Sequence, residues 1–75
     1  MAKYIVKNNI PTKYIDSHTT EFETPNQAKW FFNYLSKLCS DEYPTKVVFR
    51  NNPLRGTIQV EIDGFYYYVE LYKEL

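Results

Sequence analysis

The residues that could carry nucleophilic or acid–base chemistry are few in this chain. The segment "DSHTT" at 16–20 holds Asp16, Ser17 and the single histidine, His18, and the single cysteine is Cys39. A histidine near its ordinary pKa can act as a general base, and a cysteine thiolate can act as a nucleophile. A serine–histidine–aspartate triad, however, is normally assembled from residues that are distant in sequence. We therefore expect His18 to be a solvated loop residue.

A pair formed by Cys39 and His18 is the remaining catalytic alternative. Free cysteine is among the residue types most often buried, and Cys39 falls on the apolar side of a predicted helix, so core packing is the favoured interpretation. No spacing of Cys, His, Asp and Glu matches a metal site. The two glycines of the chain are too few for a phosphate-binding loop. The sequence thus predicts a protein that is not an enzyme and has no cofactor or metal.

Composition and charge define the broad class of protein. A chain of 75 residues predicts a single domain spanning 1–75, and such a chain buries only roughly 60% of its unfolded surface. Its nine basic and nine acidic side chains cancel, which argues against broad affinity for phosphates. Without a long apolar run, and with one unpaired cysteine, it is expected in the cytoplasm and not in a membrane.

One clear helix is the first element that positions the other candidate residues. The segment "TPNQ" predicts an N-cap at Thr24, a first helical position at Pro25 and a capping-box residue at Gln27. This start and the apolar spacing that follows predict an amphipathic helix of about 14 residues, which ends at "SDEYP" (40–44) because proline cannot continue it. The apolar residues at spacings of three and four are Ala28, Phe31, Phe32, Leu35, Leu38 and Cys39.

Strand patterns surround this helix. Residues 3–7 and, less regularly, 19–23 predict strands before it, and residues 45–51, 56–62 and 65–73 predict three strands after it. The predicted fold class is α+β, with one amphipathic helix packed on a four- to five-stranded, mainly antiparallel sheet in the order β-(β)-α-β-β-β. The sequence leaves the place of the first strand in the sheet open.

The last two strands are predicted to form a hairpin around Asp63 and Gly64, because a two-residue turn needs positive φ angles. Side chains alternate between the two faces of a sheet. Tyr67 therefore points toward the core, whereas Tyr66 and Tyr68 point away from it. The predicted pairs are Ile62–Phe65, Val60–Tyr67 and Ile58–Val69.

The outer face of this sheet should carry aromatic and charged side chains together. One helix covers only one face, and antiparallel sheets often leave the other face in water. In the preceding strand we expect Val47 and Phe49 to point toward the core and Val48 to point outward. The candidate contact residues on the outer face are Tyr66, Tyr68, Tyr72, Lys46 and Arg50.

Trp30 is the second unusual residue. At about 100° per residue it lies roughly 140° from the apolar side of the helix, and Tyr34 follows one turn later. Two interpretations stay open. Residues 9–20 cover Trp30, or Trp30 and Tyr34 form an exposed patch that binds a partner, since these residue types dominate binding hot spots.

Two functions fit these surfaces. The first is protein binding, in which tyrosine and tryptophan supply the contact area and charged side chains at the rim set the orientation. The second is single-stranded nucleic-acid binding by base stacking on Tyr66 and Tyr68. Glu61 and Glu70 share that face and would repel phosphates, so protein binding is favoured. A monomer and a homodimer formed by edge pairing of the last strand both remain open.

No motif in the chain identifies a family. In its composition the whole chain resembles the small proteins encoded by phages and mobile elements of AT-rich bacteria, because it is short and rich in Lys, Asn, Tyr and Ile. This resemblance implies a stoichiometric inhibitor of a host enzyme or defence complex that acts by protein contact. It assigns no role to any individual residue.

Overall fold

The computed structural model describes residues 3–10 and 18–74 of the chain. In these residues one helix packs on a five-stranded antiparallel sheet, which confirms the predicted α+β class. The strand order β2-β1-β5-β4-β3 places the first strand beside the last. The elements are β1 (Lys3–Asn8), β2 (His18–Phe22), α1 (Pro25–Glu42), β3 (Thr45–Arg50), β4 (Arg55–Ile62) and β5 (Phe65–Glu74).

The strand β5 lies at the centre of the sheet. It pairs with β1 on one side and with β4 on the other. Edge pairing of a second copy along residues 69–72 is therefore excluded, because β1 and β4 already bond both sides of that stretch. The edges of the sheet, among the described residues, are β2 and β3.

The helix begins where the sequence predicts it. Thr24 is the N-cap, with an extended backbone, and its Oγ1 accepts a hydrogen bond from the Gln27 N–H at 3.3 Å. Pro25 occupies the first helical position, where its missing N–H costs nothing.

The helix ends later than predicted. It continues through Glu42, and the Tyr43 N–H donates to the Cys39 carbonyl at 2.8 Å. The prediction was a helix of about 14 residues that ends within "SDEYP" (40–44), but Ser40, Asp41 and Glu42 still belong to the helix, since such residues are tolerated inside one. Pro44 is the residue that prevents further extension.

The core lies between α1 and the inner side of the sheet, and its largest fully buried side chain is Phe32. An ideal Cβ built on Gly56 of β4 would lie only 2.6 Å from Cζ of Phe32, so the ring occupies the space that any other residue would fill. The ring centroid of Phe49 lies 6.0 Å from that of Phe32. The buried cluster consists of Val6, Ile10, Ala28, Phe32, Leu35, Cys39, Ile58, Val60, Val69 and Leu71.

The hairpin between β4 and β5 has the predicted register. Asp63 and Gly64 have φ angles of 52° and 83°, as a two-residue turn of this kind requires. Tyr67 is half-buried against the core, and its neighbours Tyr66 and Tyr68 lie on the opposite face. The predicted pairs Ile62–Phe65, Val60–Tyr67 and Ile58–Val69 are all present.

Val47 and Phe49 point toward the core side of the sheet, as predicted, but neither is buried. They are 44% and 42% exposed. β3 is an edge strand, so only β4 flanks it among the described elements. Phe65 is 68% exposed for a related reason, since it begins β5 next to the turn.

Replacing Gly56 with alanine should lower the free energy of unfolding by about 1–3 kcal/mol, because the new Cβ displaces a ring in a packed core. Urea unfolding followed by far-UV circular dichroism measures this loss. The double variant Gly56→Ala with Phe32→Leu tests the cause, because leucine lacks the ring atom that the Cβ meets. An equal cost of Gly56→Ala in both backgrounds would show that the ring contact is not the reason.

Candidate interaction surfaces

The outer side of the sheet, which we call the tyrosine face, carries the first group of predicted contact residues. Alternation along β3 and β5 places all of them on the side opposite α1. Each tyrosine has a neighbour on β4: Glu61 lies opposite Tyr66 and Gln59 lies opposite Tyr68. The predicted residues that the sheet brings together here are Tyr66, Tyr68, Tyr72, Lys46 and Arg50.

The tyrosine face has an open end at Tyr66 and Tyr68. These side chains are 57% and 42% exposed. The reason is the length of β1, which stops pairing with β5 at the Asn8–Val69 pair, followed by a single hydrogen bond from the Asn9 N–H to the Tyr68 carbonyl at 3.2 Å. Beyond that point, among the described residues, only β4 pairs with β5. The rings of Tyr66 and Tyr68 are therefore flanked by a strand on one side.

The other end of the tyrosine face is covered around Tyr72. This ring is half-buried, because it lies between Ile5 of β1 and Arg55 of β4. Ile5 itself is only 2% exposed. Close to it, Lys3 and Glu21 form an exposed ion pair at 3.5 Å, a contact that contributes little to stability.

The burial of Ile5 was missed by reasoning from the sequence. The signal was present in "KYIVK", because Ile5 is next to Val6 and successive side chains lie on opposite faces. Apolar residues on both faces are typical of a strand that is covered on both sides. Tyr72 is therefore a weaker contact candidate than Tyr66 or Tyr68.

Charged side chains are distributed unevenly over the tyrosine face. Glu61 pairs with Tyr66, and Glu70 lies between Tyr68 and Tyr72 along β5. Two cations lie on the same face, Lys7 opposite Glu70 and Arg55 opposite Tyr72. The cations Lys46 and Arg50 lie one strand farther away, on β3, where both are exposed. A depression of about 280 Å³ beside this open end is lined by Pro44, Thr45, Lys46, Gln59, Glu61 and Tyr66.

Trp30 and Tyr34 form the second aromatic surface, on α1. They are 68% and 47% exposed, and their rings stack nearly parallel, with centroids 5.7 Å apart and an interplanar angle of 3°. The alternative in which residues 9–20 cover Trp30 falls mainly on residues 11–17, which are outside the described residues. A groove of about 660 Å³ beside the tryptophan is lined by Glu21, Phe22, Glu23, Asn26, Gln27 and Trp30.

The two aromatic surfaces do not form one site. α1 packs on the inner side of the sheet, and the tyrosine face is its outer side. Trp30 and Tyr34 lie on the exposed part of that helix, so the sheet separates them from Tyr66 and Tyr68. A single flat partner surface could contact one group or the other.

The catalytic candidates Cys39 and His18 belong to different elements, α1 and β2. Cys39 is 2% exposed, and burial, with a smaller effect of Glu42, raises the pKa of its thiol. A nucleophilic cysteine needs the opposite shift. His18, expected in a loop, begins β2 instead. Its side chain lies outside the described part, as do Asp16 and Ser17.

The described residues contain neither a metal-binding cluster nor a membrane-spanning helix. No group of three or more His, Cys, Asp and Glu side chains could hold a metal ion within residues 3–10 and 18–74. No helix in the same residues is long and apolar enough to cross a membrane.

Comparison with known proteins gives no match. No protein-family model, curated protein or solved structure matches the chain. Function must therefore be inferred from the surfaces themselves, because a fold class alone does not determine an activity.

Trp30 and Phe32 provide a matched pair of aromatic truncations. Trp30→Ala should change the free energy of unfolding by about 1 kcal/mol or less, since it removes a largely exposed ring and one stacking contact. Phe32→Ala should cost about 3–5 kcal/mol, because it empties part of the core. Urea unfolding measures both. Equal costs would mean that Trp30 is a core residue and not a free surface.

Cys39 should be almost unreactive toward iodoacetamide in the folded protein and fully reactive in urea. Since its pKa is raised on folding, the folded state binds the thiol proton more tightly than the unfolded chain. That contribution to stability is present below about pH 8.5 and is lost as the pH rises further. This contribution of Cys39 is measured by comparing the unfolding free energies of the wild type and Cys39→Ala over a range of pH values. Rapid labelling below pH 8.5 would contradict this prediction.

Proposed function

We propose that this chain is a non-enzymatic, cytoplasmic protein-binding module that inhibits another macromolecule by covering part of its surface with the tyrosine face. The observation that carries the proposal is the exposure of Tyr66 and Tyr68 side by side at the open end of that face. The inhibitory role follows from the small size of the domain and from its resemblance in composition to phage-type inhibitors.

Exposed tyrosines two residues apart on a strand are well suited to protein recognition. Their rings point the same way and lie roughly 7 Å apart along the strand. Each ring can bury about 150–250 Å², and only two side-chain torsions must be fixed when it does so. Tyr66 and Tyr68 can therefore supply a large contact area at a small entropic cost.

The surrounding charges favour a protein partner over a nucleic acid. Glu61 and Gln59 are the β4 neighbours of Tyr66 and Tyr68, whereas Lys46 and Arg50 lie farther away at the sheet edge and Lys7 pairs with Glu70. A phosphate that approaches Tyr66 would first meet the Glu61 carboxylate. A protein surface of mixed charge could pair with both groups, and the two signs would fix its orientation.

Base stacking on Tyr66 and Tyr68 is the second candidate function. The observation in its favour is the same exposure of adjacent rings, together with the cationic side chains of Lys46 and Arg50 on the same face. Stacking on aromatic side chains is tolerant of sequence, so such binding would be selective for single strands and not for particular bases.

Affinity capture from a bacterial lysate tests the proposal with matched variants. Tyr66→Ala with Tyr68→Ala should reduce the amount of captured protein at least about tenfold, because hot-spot residues contribute roughly 2 kcal/mol or more. Phe65→Ala is the control, since it removes an exposed ring from the same strand but from the opposite face. It should leave capture unchanged.

Two further comparisons identify the surface and the partner class. Nuclease treatment of half the lysate should not affect capture, and a signal that disappears with nuclease would favour nucleic-acid binding. The variant Lys46→Glu with Arg50→Glu should then also be strongly impaired. If Trp30→Ala abolishes capture while the tyrosine variant does not, the helix surface is the binding site and the tyrosine face is not.

A further inference from the structure

The two edges of the sheet differ in chemistry. β2 has the sequence "HTTEF", in which polar residues predominate. β3 has the sequence "TKVVFR", and its central residues Val47, Val48 and Phe49 are 44%, 49% and 42% exposed. Natural proteins usually protect sheet edges with charges or other devices, because an open edge can pair with a further strand. At β3 the only charged residues are Lys46 and Arg50, on either side of the apolar centre.

The hydrogen-bond pattern shows which residues of β3 have outward-pointing backbone groups. The Glu61 N–H donates to the Pro44 carbonyl at 3.1 Å. In an antiparallel pair, residues that bond the neighbouring strand alternate with residues that point away from it. Lys46 therefore bonds to β4, and so do Val48 and Arg50. The residues that direct their N–H and C=O groups away from the sheet are Thr45, Val47 and Phe49.

The register of the hairpin gives the same pattern independently. In a two-residue hairpin the pair next to the turn, Ile62–Phe65, is hydrogen-bonded. Counting along β4 from there, Val60 and Ile58 bond to β5, and Gln59 bonds to β3, opposite Lys46. The Glu61–Pro44 bond and the hairpin register therefore both show that the N–H and C=O groups of Val47 point away from β4.

A strand added at this edge would meet different side chains on its two faces. On the helix side it would lie beside Val47 and Phe49, whose exposed parts are apolar. On the tyrosine face it would lie beside Lys46, Val48 and Arg50, so two cations flank one valine. The edge therefore favours a strand with apolar side chains toward the helix and carboxylates toward the tyrosine face.

A second copy of this chain fits the edge poorly. If two β3 strands paired about an axis at Val48, Lys46 would lie directly opposite Arg50 of the second copy. With an axis at Val47, Lys46 would lie diagonally beside both Lys46 and Arg50 of the second copy. Like charges at these positions are destabilising. Charge complementarity thus favours an acidic segment over self-association.

We propose that the β3 edge binds an extended segment of another protein as a sixth, antiparallel strand. The segment carries carboxylates opposite Lys46 and Arg50 and apolar side chains opposite Val47 and Phe49. Backbone hydrogen bonds to the outward residues provide affinity, and the side chains provide selectivity, as in other cases of strand addition. This site does not depend on the tyrosine rings, so it goes beyond the function proposed above.

A pair of blocked peptides tests the proposal with the full-length protein. The probe is acetyl-Thr-Glu-Val-Val-Val-Glu-Thr-amide, and the control has both glutamates replaced by lysine. Titration followed by ¹H–¹⁵N NMR should show shifts with the glutamate peptide at Thr45, Val47 and Phe49, and slower amide exchange at these three residues. The amides of Lys46 and Val48 already bond to β4, so their exchange should change much less.

Two variants separate the backbone contribution from the charge contribution. Val47→Pro removes an outward N–H without removing a bond to β4, a position where edge strands tolerate proline. It should weaken binding of the glutamate peptide at least tenfold and leave the far-UV spectrum unchanged. Lys46→Glu with Arg50→Glu keeps every backbone group and should reverse the preference, so that the lysine peptide binds more tightly.

Several results would overturn the proposal. These are equal binding of both peptides by the wild type, shifts confined to β2 or to the tyrosine face, and no change of preference in the charge-reversed variant. Protection of Thr45, Val47 and Phe49 that grows with protein concentration in the absence of peptide would identify a second copy as the occupant instead. Because the probe is a peptide of known sequence, failure of the lysate capture would leave this test unaffected.

Discussion

The contact of the Phe32 ring with the backbone of Gly56 is the constraint on which the arrangement of the domain depends. A helix can approach a sheet this closely only where the strand lacks a side chain, and Gly56 provides that position on β4. The contact fixes α1 over the inner side of the sheet and determines which side is left without a helix. The tyrosine face is exposed because α1 lies on the other side of the sheet.

The same contact explains the uneven cover of the sheet. Phe32 is fully buried, and Phe49 on β3 touches its ring but remains 42% exposed. One helix is too narrow to cover five strands, so the strands farthest from its axis keep open side chains. The described residues contain no second helix that could cover the remaining strands. Open apolar surface at β3 therefore follows from the architecture as well as from the local sequence.

Local signals made much of this fold predictable. Thr24 with Gln27, and Asp63 with Gly64, act through neighbouring backbone groups, so their effects depend little on the rest of the chain. The assignment of Tyr66 and Tyr68 to the outer face required only the turn and the alternation. The burial of Ile5 and the exposure of Val47 depend on strand order, which is set by pairing between distant segments. The sequence left that order open, so neither the burial of Ile5 nor the exposure of Val47 was predicted.

The tyrosine face and the β3 edge share Lys46, and this has a physical consequence for binding. Lys46 pairs with Gln59, and Gln59 pairs with Tyr68, so one row of side chains joins the edge to the exposed tyrosines. Adjacent strands lie about 4.8 Å apart, so the row spans roughly 10 Å. A partner that adds a strand at β3 would hold its neighbouring surface over Tyr68. The second contact would then form within the complex, at a high effective concentration, and two modest contacts would yield one stable association.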